Sequence, residues 1–179
     1  MRNPVIHRPT KHVQRALDGF QIPVPLTVET LFAAIEERYP RPLELLRGQS
    51  PLPGLSASGL WITRPDQESD AMWVDPGLDE EAAVHNLAHE GGHFFLGHQP
   101  VLLPAAPPAE PYEFVSADFL NGCLLGRTRS QEGPHDPEYV EIEDQAEAFA
   151  FLLRKKAHEH ARDSRYESDP LLDRLHRSL

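Results

Sequence analysis

The sequence predicts an α+β domain, mostly helical, with a small β-sheet or hairpin packed near one histidine-bearing helix. Three observations carry this. Apolar residues recur at helical spacing in "LTVETLFAAIEERY", "EEAAVHNLAHEGGHFF" and "EYVEIEDQAEAFAFLL". Between the first two, "SGLWITRPDQESDAMWV" reads as two short β-prone runs joined by a polar loop. The length of 179 residues, 40% hydrophobic, gives room for one domain with a real core and is short for two.

Residues 1–25 read as a basic arm with Arg2, Arg8, Lys11 and Arg15, lacking a helical period and ending in "IPVP". A domain over residues 26–160 follows. Thr27 is the N-cap of its first helix; Leu31, Ala34, Ile35 and Arg38 follow at helical spacing, and Pro40 stops it. "PLELLRG" reads as a short helical turn ending at Gly48. Residues 60–63 and 71–74 form the hairpin strands, and Asp75-Pro76-Gly77 is a turn. A helix starts near Asp79, with Glu80 and Glu81 in the first turn, where acids suit the dipole.

The proline-rich stretch 99–113 excludes helix and central strand, so it reads as an inserted loop or flap, placed to act as a lid. "SADFLNGCLLG" reads as a short helix capped by Ser116. A long helix then opens with Asp136 as N-cap and Pro137 at N1. Residues 161–179 form a charged tail.

Composition excludes some functions. With 28 acids against 17 bases, the net charge of −11 repels a polyanion, so no direct nucleic-acid contact is expected. No apolar run is long enough for a membrane helix and no secretory leader is visible. Cys123 is the single cysteine, so no intrachain disulfide forms; a cytoplasmic location is expected.

"AVHNLAHEGGHFFLGH" carries the chemistry. Residues four apart in a helix share a face, so His89 and His93 can aim at one ion. Glu90, beside them, can act as general base without taking a coordination position. Val84, Leu87, Ala88, Gly91, Gly92 and Phe95 form an apolar stripe, with the two histidines on the opposite side. Gly91 and Gly92 cost roughly 1 kcal/mol each relative to alanine, which points to an element passing close to the backbone there.

The pattern HExxHxxGxxH fails, because Gly97 and His98 are each displaced by one position. His98 is read as ending the helix or lining the site rim. His85 is either an outer support of the site or a partly exposed histidine near the helix start. The long helix supplies a third ligand. Its apolar stripe is Ile142, Ala146, Phe149, Ala150, Leu153 and Ala157, and Glu143 lies nearest among the neighbouring acids, about 70° from the stripe centre. Glu141 and Asp144 face water. Glu147 is either an acceptor orienting a histidine N–H or a solvated acid. His135, Tyr112, Tyr139 and His98 are candidate oxyanion donors, while His158 and His160 read as solvated.

The segments "SGLWI", "AMWVDPGLDEEAAVHNLAHEGGHFFLGH" and "EIEDQAEAFAFLL" together resemble the ImmA/IrrE family of bacterial zinc metallopeptidases, over roughly residues 28–153. The resemblance implies a gluzincin-like minimal metallopeptidase domain. It implies Zn²⁺ held by His89, His93 and Glu143, with Glu90 as catalytic base. It implies cleavage of a protein substrate, often a helix-turn-helix repressor in a stress or mobile-element response. Glu147 stands where the family has Asn or Asp, and Gln145 where an acid is common. A zinc-containing toxin or a sequestering module without proteolysis is the alternative expectation.

Overall fold

The structure is a computed structural model that describes residues 11–51, 57–64, 67–102, 124–125 and 137–167. The described residues form an α+β arrangement. The helices are α1 (Lys11–Asp18), α2 (Val28–Glu36), α3 (Glu80–Phe95) and α4 (Pro137–Glu167). The strands are β1 (Leu43–Leu46), β2 (Gly59–Thr63), β3 (Asp70–Val74), β4 (Val101–Leu102) and β5 (Leu124–Leu125). The sheet order is β1-β3-β2-β5-β4. Among the described residues, no helix is long and apolar enough to cross a membrane.

Local chemistry accounts for the elements. Thr27 caps α2 through a reciprocal box with Thr30, and Glu80 accepts from the Val28 N–H at 2.8 Å. The hairpin forms as expected, with Leu60 opposite Trp73 and Ile62 opposite Ala71. Asp79 caps α3 by accepting from the Ala82 N–H at 2.8 Å. Gly97 at φ +70° ends that helix: the His98 N–H donates to the His93 carbonyl and the Gly97 N–H to that of Phe94, a Schellman closure. Pro137 is the first residue of α4.

Several expectations need correction. The arm of residues 1–25 contains α1, with Val13, Leu17 and Phe20 buried in the main core. Their i, i+4, i+7 spacing is helical, and it was obscured by the flanking bases. "PLELLRG" holds strand β1, paired in parallel with β3. The open edge of β3 recruits these leucines, so a non-local pairing outweighs their helix propensity. Leu124 and Leu125, placed in a short helix by sequence, form β5 beside β2. Helix α4 runs through to Glu167, so the first part of the charged tail is helical. The rest of stretch 99–113, Ser116, Cys123 and Asp136 lie outside the described residues.

The hairpin is tied down by a polar knot. Asp70, 3% exposed, accepts from the Arg64 N–H at 2.8 Å and from the Tyr39 hydroxyl at 2.7 Å. Trp61 Nε1 in turn donates to that hydroxyl at 2.9 Å. Burial and the Asp70 contact keep Tyr39 protonated well above the usual tyrosine range.

Helix α3 lies at the centre, against α2, α4 and the sheet. The expected one-sided stripe is only part of its burial, because His89, Glu90 and His93 are buried too. The two glycines admit close neighbours. A Cβ on Gly91 would stand 2.9 Å from Ile35 Cδ1, and one on Gly92 would stand 3.1–3.3 Å from three atoms of Phe149. Phe149 is itself stacked on Phe95 with centroids 5.6 Å apart, so it has little room to withdraw. Gly92→Ala is therefore expected to cost about 1–3 kcal/mol by overpacking. Gly91→Ala meets only the end of an isoleucine and gains helix propensity, so it should stay within about 1 kcal/mol of wild type. Urea unfolding of both variants checks this, and equal tolerance would contradict the packing described.

Candidate metal centre

Three donor groups converge where α3 faces α4. His89 Nε2 and His93 Nε2 are 3.2 Å apart. Glu143 Oε2 is 3.3 Å from His89 Nε2, and its Oε1 is 3.6 Å from His93 Nε2. One ligand atom from each residue fits within 4.8 Å of the others, so the group can hold a metal ion. Donors about 2.0–2.2 Å from one tetrahedral ion stand roughly 3.3–3.6 Å apart; the two imidazole nitrogens, at 3.2 Å, are close to that spacing, and Glu143 meets it through a different carboxylate oxygen toward each histidine. Two imidazoles and a carboxylate also suit a borderline-soft divalent cation.

Each ring has a polar neighbour at its other nitrogen, a hydrogen-bond partner for His93 and a carboxylate at ion-pair distance for His89. His89 Nδ1 lies 3.5 Å from Glu147 Oε2. His93 Nδ1 lies 2.9 Å from His98 Nδ1, a contact made possible because the Gly97 turn folds His98 back over the helix end. His98 Nε2 continues to Gln145 Oε1 at 3.3 Å, and Gln145 donates to Glu141 Oε1 at 3.2 Å. If His93 offers Nε2 to a cation, its proton sits on Nδ1 and this chain runs outward with one polarity.

Glu90 is 2% exposed and its Oε2 accepts from the Trp61 N–H at 2.9 Å. Gly59, at the start of β2, makes room for it: a Cβ there would stand 3.2 Å from Glu90 Cγ and Oε1. Burial pushes the Glu90 carboxyl up to about 7; His89 opposes this, Glu143 reinforces it, and the Trp61 N–H opposes it. For His89, burial disfavours the charged ring. Glu143, Glu147 and Glu90 outweigh that and raise its pKa to about 9. The carboxylates thus create a negative potential that draws a proton onto His89, and a divalent cation can satisfy the same field.

The structure brings His89, His93, Glu143 and Glu90 into one buried region and puts Glu147 and His98 behind the histidines. His85 takes the outer-support position, with Nε2 3.2 Å from Glu147 Oε2. His158 and His160 are exposed, as expected. Tyr139 lies one turn before Glu143 on α4. Tyr112 and His135 lie outside the described residues. Sequence reasoning missed the Trp61 N–H and Gly59 as holders of Glu90. It noted Gln145 only as a departure, not as the partner of His98. Neither contact has a local signal, since each joins segments far apart in the chain.

No protein-family model, curated protein or solved structure matches the chain.

Two outcomes follow from this geometry. In metal-free protein, the folded pKa of Glu90 at about 7 exceeds the ordinary 4.5. Its contribution to stability is complete below pH 4.5 and is lost as pH rises to about 7. The stability of wild type minus that of Glu90→Gln should therefore fall across that window, by on the order of 1–3 kcal/mol. A flat difference in chelator-treated samples would contradict the assignment. Gly97→Ala has nothing within 4 Å to hit, but a φ of +70° strains alanine by about 1 kcal/mol and displaces His98. Both it and His98→Ala should weaken cobalt(II) or zinc binding about tenfold. Unchanged affinity in both would remove His98 from the site.

Proposed function

We propose that the chain is a zinc-dependent endopeptidase of the HExxH type in a gluzincin-like domain, acting on a regulatory protein in the cytoplasm. The observation that carries this is the convergence of His89 Nε2, His93 Nε2 and the Glu143 carboxylate, one ligand atom from each within 4.8 Å of the others, beside a buried Glu90. Three protein donors leave a coordination position for a reactant, the pattern of catalytic rather than structural zinc. The resemblance of the hairpin, the HExxH helix and the E-x-x-A-x-x-F-A helix to the ImmA/IrrE family supports the same reading. It also suggests a helix-turn-helix repressor as substrate.

Zinc bound at these donors supplies Lewis acidity toward a peptide carbonyl and acidifies water. The protein's own groups do the rest. Glu90 takes the proton of the attacking water and returns it to the departing amine. The Trp61 N–H holds Oε2, fixing the carboxylate plane while Oε1 remains for the proton. His98 holds the His93 ring through a hydrogen bond, and Glu147 faces the His89 ring at ion-pair distance.

A second reading has one observation in its favour: Glu90 is engaged by the sheet backbone and buried, so the metal can serve a toxin or a sequestering module without turnover. Glu90→Gln separates the two. An endopeptidase loses cleavage of its repressor substrate by at least about a hundredfold, as loss of a general base does, while keeping one equivalent of zinc. Retention of the biological effect by Glu90→Gln points to sequestration instead.

A further inference from the structure

Resting on the metal-centre reading, we propose that Arg154 is a positioning residue for the ligand His89, acting through His85 and Glu147. Arg154, on α4, places Nη1 3.4 Å from His85 Nδ1, and its Nη2 donates to Glu81 in the first turn of α3. A guanidinium has donors and no acceptor. His85 Nδ1 must therefore accept, and its proton resides on Nε2. That Nε2–H faces Glu147 Oε2 at 3.2 Å. The same oxygen lies 3.5 Å from His89 Nδ1. Hydrogen-bond polarity thus runs from Arg154 through His85 to Glu147, whose oxygen then faces His89 Nδ1 electrostatically, at ion-pair distance.

The chain has a purpose that its end pairs lack. Glu147 is 41% exposed, and a glutamate on a helix surface has several rotamers open to water. Held by His85, its oxygen stays behind His89 and keeps that ring's Nε2 directed at Glu143 and His93. Without Arg154, His85 can adopt the other tautomer, which turns a lone pair toward Glu147 and expels the carboxylate. The Arg154–Glu81 pair, with Glu81 80% exposed, contributes little to folding by itself. Arg154→Met should therefore fold normally and act on the centre alone.

The test is zinc affinity, by competition with a chelator, across a double-mutant cycle of Arg154→Met and Glu147→Ala. Arg154→Met is expected to weaken zinc about tenfold in the wild-type background, and to add nothing once Glu147 is alanine. Long-range ¹H–¹⁵N spectra of the zinc-loaded protein should show the His85 proton on Nε2 in wild type, and loss of that single tautomer in Arg154→Met. Thermal unfolding in chelator should match for the two proteins. The inference is overturned if Arg154→Met leaves affinity unchanged, weakens it equally in both backgrounds, or if wild-type His85 carries its proton on Nδ1. Wild type that binds no zinc overturns the metal-centre reading itself, and that appears in the first titration, before any variant is compared.

Discussion

The approach of α3 to α4 is the constraint on which the site depends. Gly92 lets the Phe149 ring sit where a side chain would otherwise be, and Ala146, Ala150 and Leu153 continue the seam. With the two helices this close, a glutamate on α4 reaches both imidazoles of α3 at once. The aromatic stack of Phe95 on Phe149 holds the seam from the far end. Core packing is thus what sets the distances between the donor atoms.

The second constraint is electrostatic. Glu90, Glu143, His89 and His93 share a region from which water is largely excluded, and like-charged carboxylates in such a place repel strongly. The protein offsets this in part through Trp61, which donates a backbone N–H to Glu90, and through protonation of His89. Neither is complete. A divalent cation neutralises the cluster without requiring any group to take up or release its proton at the wrong pH. The outward chains through His98 and through His85 then serve to keep the rings from turning their lone pairs away. The fold thus gathers acids whose repulsion a bound cation would relieve.

Much of this was legible in the sequence, for identifiable reasons. The HExxH spacing and the helix period of α3 place His89, Glu90 and His93 without tertiary information. Glu143 was legible because the buried stripe of α4 leaves it beside the packed face. The Thr27 cap and the hairpin are short-range features, legible from the local sequence. The misses are non-local. Strand β1 exists because β3 has a free edge. Helix α1 is stabilised by Val13 and Leu17 entering a core assembled from α2, α3 and α4, and its bases drew attention away from that spacing. A helical wheel places the histidines of α3 opposite its apolar stripe but does not show how completely they are buried. For His85 and Glu147 the sequence leaves two readings open each, and in the structure the two residues contact each other at 3.2 Å.

The central claim is that two imidazoles of one helix and a carboxylate of another bind one cation. Metal content of purified wild type beside His89→Ala and Glu143→Ala tests it most directly. One equivalent of zinc in wild type and loss of it in both variants is the predicted result. Zinc retained at full stoichiometry in Glu143→Ala, or no bound metal in wild type, would contradict it.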